Sequence, residues 1–354
     1  MRTRCLSFHA TYRCRHSGEC CRTEWDIEVD PHVVEAVQAR RVIPVFSTHL
    51  AFADGRAGGA ATVARTAAGE CGFHNQHRCS LQAAGSEAMQ PSACRHFPRV
   101  FLRDARGTLL TLSHFCPTAA ALLFTESPVS VVDAVPPLAL SEPVEGLDAR
   151  DALPPLVRPG LLADMEGYAA WEDAVVRSLL GPDGTEKALA TIDDATEVVR
   201  RWTPAEGPMV KAVDRAFAPA LAAAQPMKLS SAFEIVTELT GPHPSMAVPL
   251  GFQPEWQRLQ REAADLLGQI VPRYLAAAAF GNWIAYRGQG LRSIAGWLRA
   301  SYDVLRVQLV RHLPAGGEAA TRAQVIEAIR MADYIMVHTV DSLAFGRAAA
   351  SLER

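Results

Sequence analysis

The stretch CRHFPRVFLRDARGTLLTLSHFCP, residues 94–117, decides how the first third of the chain folds. Residues 99–103 and 108–113 are rich in large aliphatic, aromatic and β-branched side chains, which favour strands. Between them lies Asp104-Ala-Arg-Gly107, a turn sequence that contains glycine. The pattern predicts a β-hairpin.

Two pairs of cysteines lie symmetrically about predicted turns. Cys94 and Cys116 are each eleven residues from the second residue of the hairpin turn. Because opposed residues of an antiparallel pair keep a constant index sum, we expect the hairpin to bring these two thiols to the same end. The segment Cys71-Gly-Phe-His-Asn75-Gln-His-Arg-Cys79 is symmetric about Asn75, a common turn residue. A tight turn there would bring Cys71 and Cys79 together.

The cysteines are confined to one part of the chain. All eight lie between Cys5 and Cys116, as do eight of the eleven histidines. Thiols that only fill a core would be scattered along the 354 residues, so the confinement indicates a chemical role or a covalent framework. The first residues contain no apolar run of signal-peptide length, and we therefore expect a cytoplasmic protein whose reduced thiols bind metal. A disulfide framework is the alternative.

The spacing of the cysteines departs from that of ordinary zinc fingers, whose ligand pairs are separated by two to four residues. Five residues separate Cys14 from Cys20, none separates Cys20 from Cys21, and seven separate Cys71 from Cys79. Soft thiolates select zinc, copper(I) or iron–sulfur clusters, and this spacing favours a cluster such as 4Fe-4S or an unusual multi-metal site. Adjacent cysteines can both face a metal if the chain turns sharply, which Gly18 permits. The predicted metal ligands are Cys14, Cys20, Cys21, Cys71, Cys79, Cys94 and Cys116.

The composition and the proline distribution predict the organisation of the chain. Hydrophobic residues make up 49%, which is enough for a sizeable core, and the net charge of −3 argues against a nucleic-acid partner. We also expect no membrane span, because no window offers about 18 uninterrupted apolar residues. We predict a cysteine-cluster metal-binding domain over 1–125, a linker or surface strap with seven prolines over 126–160, and a helical domain over 161–354.

The predicted fold is therefore mainly α: a small irregular cysteine-rich metal-binding domain with a β-hairpin, followed by an all-α helical domain. In the first part, Asp30-Pro31 predicts a helix start with a side-chain cap, and that helix should reach about Arg41. Residues 48–69 are rich in glycine and alanine and predict a loop. The apolar periodicity predicts helices at 118–124, 166–180, 185–202, 205–224, 229–239, 254–279, 290–312 and 320–345.

The run Tyr12-Arg-Cys14-Arg-His-Ser17-Gly-Glu-Cys20-Cys21 resembles the signature of the cysteine-cluster proteins known by the pattern CxxCxxCC, a family regarded as zinc- or iron-chelating. The segments that begin at Cys71, Cys79 and Cys94, and residues 112–117, look like its later motifs. The last two are similar to the branch identified as flagellin lysine-N-methylase, in which CRxFPR is followed by a strand pair and then by SxxCP. The motifs cover residues 12–125, and beyond them the similarity is architectural.

This resemblance implies a methylase that transfers a methyl group from S-adenosylmethionine to a protein lysine, for example in flagellin. The residues themselves contain no glycine-rich nucleotide loop that follows a strand, and no radical-type CxxxCxxC motif. Ser17 stands where the family has its middle cysteine, so that ligand is lost or replaced by Cys5, His9 or His16.

A structural zinc module that serves as an interaction scaffold is the alternative to an enzyme. A solvent-open pocket beside the cysteines, large enough for a nucleoside, would favour the enzyme.

The sequence alone offers several further candidate functional side chains. Arg95 and Arg99 flank Phe97-Pro98 and could pair with thiolates or a substrate carboxylate, or hold the hairpin through a structural salt bridge. Trp25 and Phe97 are most simply core. Four histidines beside cysteines could ligate metal, donate to a thiolate, or only pack: His74, His77, His96 and His114.

Overall fold

The computed structural model describes residues 2–15, 17–23, 25–42, 52–54, 61–76, 78–85, 89–135, 146–218, 229–314 and 320–352. The structure is mainly α, with 55% of the described residues in helices and several small sheets. This confirms the predicted fold class at that level. Within the described ranges, every helix is too short or too polar to cross a bilayer.

The helices in the described ranges are α1 Ser7–Ala10, α2 Pro31–Ala39, α3 Ser80–Gly85, α4 Ser92–His96, α5 Pro117–Leu122, α6 Met165–Leu179, α7 Thr185–Val199, α8 Met209–Ala216, α9 Ser231–Thr240, α10 Phe252–Glu262, α11 Ala264–Ala279, α12 Ile284–Arg287, α13 Leu291–His312, α14 Arg322–Asp333 and α15 Ser342–Ala350. A π-helix, Tyr334–Thr339, directly continues α14. The strands are β1 Thr3–Leu6, β2 Glu28–Val29, β3 Phe52–Asp54, β4 Ala61–Val63, β5 His74–Asn75, β6 Arg78–Cys79, β7 Arg99–Asp104, β8 Gly107–Leu112, β9 Val131–Asp133, β10 Leu147–Asp148, β11 Leu156–Arg158 and β12 Leu161–Leu162.

The predicted hairpin is confirmed as β7 and β8, paired from Arg99↔Leu112 to Asp104↔Gly107. It forms the middle of a five-stranded sheet in the order β10-β7-β8-β1-β9. The N-terminal strand β1 lies parallel to β8, and every residue of β8 is buried, as expected for an inner strand. Strands β9 and β10 come from the proline-rich segment 126–160, so part of this segment completes the edges of the sheet.

A second, three-stranded sheet has the order β2-β4-β3. The prediction of a loop over 48–69 was therefore wrong for β3 and β4, while 48–51 and 55–60 lie outside the described residues. Helix α2 follows β2 and confirms the predicted start at Pro31. The predicted cap was wrong, because the Oδ2 atom of Asp30 accepts a hydrogen bond from the backbone of Ser92 and so joins the start of α2 to α4.

The helical part follows the predicted periodicity with four differences. The span 254–279 is divided at Ala263 into α10 and α11, and 320–345 is divided into α14, the π-helix and α15. Helix α12 was not predicted. The helix predicted over 205–224 is shorter, because α8 covers only Met209–Ala216, and residues 219–228 lie outside the description.

The five-stranded sheet and the helices share one hydrophobic core. Leu102 and Leu109 of the hairpin pack in the same buried cluster as Trp171 of α6 and Leu275 of α11. The indole nitrogen of Trp283 also donates to the carbonyl of Phe101 at 2.8 Å. A separate small core surrounds the three-stranded sheet, and its members are Ile27, Val29, Val33, Val37, Val63, Cys71, Phe73, Leu81 and Met89.

A buried ion network joins the hairpin turn to the helices. The Arg106 guanidinium contacts Asp104 at 2.7 Å and Glu172 of α6 at 2.8 Å. Tyr286 donates to Asp104, and the backbone of Gly281 donates to Glu172. Burial raises the pKa of Glu172, and the positive charge of Arg106 opposes this rise. The network satisfies charges that would otherwise be unpaired at the contact between sheet and helices.

We expect the substitution Arg106→Ala to lower the free energy of unfolding by about 3–5 kcal/mol, because it leaves two buried carboxyl groups without their cation. The urea midpoint of the variant measures this loss. Arg150→Ala is the matched control, since the Arg150–Asp148 pair is exposed and should contribute little. Equal, small shifts in both variants would contradict the structural role of the network.

Candidate metal centre and its cavity

The turn that carries the adjacent cysteines begins at Gly18. This glycine has a φ of 75°, in the left-handed region, and it precedes a single 3₁₀ turn, Glu19–Cys21. The predicted sharp turn at Gly18 is therefore confirmed. The backbone of Cys71 then donates to the carbonyl of Cys21 at 2.7 Å, which brings a second cysteine segment to the same place.

Five thiols form a first group around Cys21. Its side chain shares hydrogen bonds with both Cys20 and Cys71. These hydrogen bonds raise the pKa of Cys21 and lower the pKa values of Cys20 and Cys71. Burial raises the pKa of Cys94, and the nearby thiols of Cys71, Cys20 and Cys79 raise it further. The simultaneous ionisation of all five thiols is therefore unfavourable.

A second thiol group lies around Tyr12. The hydroxyl oxygen of Tyr12 is 3.9 Å from the sulfur of Cys116, which directly precedes α5. Burial raises the pKa of Cys116, and the nearby thiol of Cys14 adds to the rise. Cys14 itself is exposed.

All seven predicted cysteines line one cavity of about 1270 Å³. The eighth, Cys5, lies on β1 beside β8, is fully buried and does not line the cavity; burial raises its pKa to about 11. Within the described ranges, no three His, Cys, Asp or Glu side chains are arranged closely enough to hold a metal ion as they stand. The thiols thus share a cavity without a closed metal site.

The two predicted cysteine pairings differ in detail from the structure. Strands β5 and β6 pair His74 with Cys79, so the turn is displaced from Asn75 and Cys79 does not face Cys71 in the register. Burial is the main cause of the raised pKa of Cys79, and the charge of the nearby Cys71 thiol contributes to it. Cys94 belongs to the first thiol group and Cys116 to the second, so the hairpin brings them to one cavity and not to one group.

Ser17, at the position where the CxxCxxCC pattern has its middle cysteine, lines the cavity. Of the candidate replacements for that cysteine, Cys5 and His9 lie in described parts of the chain, and neither lines the cavity. Cys5 lies in the core, and the ring of His9 is buried with Nε2 3.1 Å from Nε2 of His114. His16, like His77, lies outside the described residues.

Arginines tie the loops around the thiols together. The Arg99 guanidinium donates to the carbonyls of Arg95 and His96. Its Cζ atom lies over the Tyr12 ring, 5.8 Å from the ring centroid. Arg65, which sequence reasoning missed, donates to the carbonyls of Thr23, Trp25 and Gly69. Its positive charge also helps to lower the pKa of Cys71.

Helix α14, which is more than 200 residues beyond the last cysteine, joins the two thiol groups. Arg330 donates to the carbonyl of Phe115 at 2.9 Å, beside Cys116, and pairs with Glu19 at 3.1 Å, beside Cys20. The sequence carried no local signal for this contact. The helical part of the chain is therefore a component of the site.

An aromatic wall lies between the thiols and the C-terminal helices. Trp25 and Phe97, expected to be core, are half-buried and line the cavity. The Trp25 ring is 5.7 Å from Phe97, 5.4 Å from Phe115 and 4.4 Å from His338, measured between centroids. Asp333 and His338, which sequence reasoning also missed, line the same cavity.

Comparison of the chain with protein-family models, with curated proteins and with solved structures found no match.

We expect dibromobimane, which bridges two neighbouring thiols, to cross-link Cys21 to Cys71 in the reduced, metal-free protein, because these side chains share a hydrogen bond. Bimane fluorescence and peptide mass spectrometry measure the bridge. Cys71→Ala should abolish this cross-link. Cys5→Ala should preserve it, since Cys5 lies outside the cavity. A failure to recover the Cys21–Cys71 bridge would contradict the first thiol group.

Proposed function

We propose that this protein binds metal through its cysteine cluster and that the adjoining cavity is the active site of a protein-lysine N-methyltransferase. The observation that carries the proposal is the convergence of seven cysteines, from Cys14 to Cys116, on one cavity. Scattered core thiols would not converge in this way. We further propose a cytoplasmic location, in which these thiols stay reduced.

The donor set suits a soft metal centre. The group around Cys21 offers five sulfur atoms, and Cys14 and Cys116 offer two more on the same cavity. Thiolates of this kind select zinc or iron, and a 4Fe-4S cluster takes four of them. Such a centre would supply positive charge, which removes the repulsion among neighbouring thiolates.

The cavity favours an enzyme over a structural zinc scaffold. Structural zinc sites are closed tetrahedra, whereas these thiols face a space of about 1270 Å³. Ordinary ligand pockets span about 300–1,000 Å³, so the space suffices for a nucleoside cofactor together with an entering side chain. Trp25, Trp283 and Trp297 are among its lining residues, and aromatic rings of this kind can bind an adenine or a cation.

The resemblance to the flagellin lysine-N-methylase branch supplies the reaction class. It supports S-adenosylmethionine as the methyl donor and a lysine of a protein such as flagellin as the acceptor. The cavity lining suits both, since the aromatic faces attract a sulfonium or an ammonium. A zinc-bound interaction scaffold without activity is the alternative.

We expect anaerobically purified protein to contain at least about one metal equivalent per chain, with a brown colour and visible absorption if the centre is an iron–sulfur cluster. Elemental analysis and absorption spectra measure this. Cys21→Ala and Cys94→Ala should lose most of the metal, because each removes a sulfur from the first thiol group.

Cys5→Ala is the matched control and should keep its metal, because the Cys5 thiol does not line the cavity. Less than about one metal per chain, with all eight thiols free, would overturn the metal-binding proposal. A colourless protein with bound zinc and no activity would favour the scaffold.

We expect wild-type protein to transfer labelled methyl groups from S-adenosylmethionine to flagellin, and Cys20→Ala to lose this activity with its metal. Incorporation of label into lysine, located by mass spectrometry, measures the transfer. Cys5→Ala again serves as the control. If fully metal-loaded wild-type protein transfers no label, only the metal-binding part of the proposal stands.

A further inference from the structure

A hydrogen-bonded chain of side chains ends at the cavity wall. The hydroxyl of Ser113, at the end of β8, lies 2.6 Å from Oδ2 of Asp333 and 2.8 Å from Nε2 of His338. The backbone N–H of Phe115 donates to the same Oδ2 atom, and Nδ1 of His114 lies 3.7 Å from Oδ1. The carboxyl of Asp333 is thus buried among donors.

The position of each proton in this hydrogen-bonded network follows from which groups can donate and which can only accept. Burial alone would raise the pKa of Asp333, but His114, His338 and Ser113 together hold it below its ordinary value. An ionised Asp333 only accepts, so Ser113 must give its one hydroxyl proton to Asp333. The oxygen of Ser113 then accepts from His338, whose Nε2 must carry a proton. The lone pair of a neutral His338 is thereby placed on Nδ1.

The surroundings keep His338 neutral and accessible. It belongs to the π-helix that continues α14, and helices of this kind are frequent at functional sites. The residue is partly exposed and lines the cavity, and its ring packs against Trp25. Desolvation by the crowded rings lowers the pKa of His338, although Asp333 opposes this effect. Among the described residues, Nδ1 has no hydrogen-bond partner.

We propose that His338 is the proton acceptor of the cavity, that its Nδ1 atom takes a proton from the ammonium group of a substrate lysine, and that Ser113 and Asp333 are positioning residues which fix its tautomer. The role rests on the proposed function. A lysine nitrogen must lose its proton before it can attack a methyl carbon, because the ammonium has no lone pair.

One N–H bond of the lysine ammonium breaks, its proton bonds to Nδ1 of His338, and the electron pair stays on the lysine nitrogen. That pair then forms the new N–C bond to the methyl group of the sulfonium donor, and the S–C bonding pair leaves with sulfur. The imidazolium of His338 returns its proton to solvent through the cavity.

The test compares wild type with His338→Ala and His312→Ala in methyl transfer to flagellin. We expect His338→Ala to lower kcat by about 10²–10⁴-fold with its metal content unchanged, and added imidazole to restore part of the rate. His312 ends α13 away from the cavity, so its variant should match wild type. Ser113→Ala should lower kcat less than His338→Ala does.

A second readout does not depend on activity. Diethyl pyrocarbonate acylates accessible, unprotonated imidazole nitrogens, and peptide mass spectrometry locates the product. In the wild-type protein, His338 should react at least about tenfold faster than His9 and His114, which are buried. A lysine-containing flagellin peptide should slow the reaction at His338.

The outcomes separate the two proposals. An inactive wild type overturns the proposed function and this role with it. An active wild type with an equally active His338→Ala overturns this role alone. Loss of metal together with activity in His338→Ala, without rescue by imidazole, would identify a structural role and also overturn it. So would a His338 that reacts no faster than His9.

Discussion

Neighbouring thiols that share hydrogen bonds cannot all ionise unless a cation joins them. Cys21 donates or accepts toward both Cys20 and Cys71, and the raised pKa of Cys94 reflects burial and the same crowding. The fold brings these groups together through the turn at Gly18 and the hydrogen bond from the backbone N–H of Cys71 to the carbonyl of Cys21. Crowding and burial favour neutral thiols at Cys21 and Cys94, and a bound cation would favour the thiolate forms instead. This constraint is the physical basis of the proposed metal centre.

The helical part of the chain holds the two thiol groups in place. Arg330 reaches back from α14 to the carbonyl of Phe115 and to Glu19, and so fixes the distance between the two thiol groups. The buried network of Asp104, Arg106 and Glu172 anchors the other end of the hairpin to α6. The hairpin is therefore held at both ends by helices.

The sequence predicted those features that have a local signal. The hairpin follows from two apolar runs about a glycine-containing turn, α2 follows from Asp30-Pro31, and the long helices follow from their periodicity. Strands β1 and β9 have no such signal, because only the sheet edge formed by distant residues makes them strands. Asp333 and His338 were missed for a similar reason. Asp333 ends α14 and His338 lies five residues on, in the π-helix, whereas an ordinary α-helix does not place residues five apart on one face.

The serine at position 17 gives this cavity its particular character. In a closed zinc site every position is taken by protein, whereas a catalytic centre keeps one position open. Ser17 lies on the cavity wall with a weaker donor than a thiolate, while Cys5 and His9 are held elsewhere by the core. The aromatic wall around Trp25 lines the same cavity. In the proposed enzyme, a metal centre with Ser17 in place of a thiolate would keep a position open for a bound molecule, as catalytic centres do.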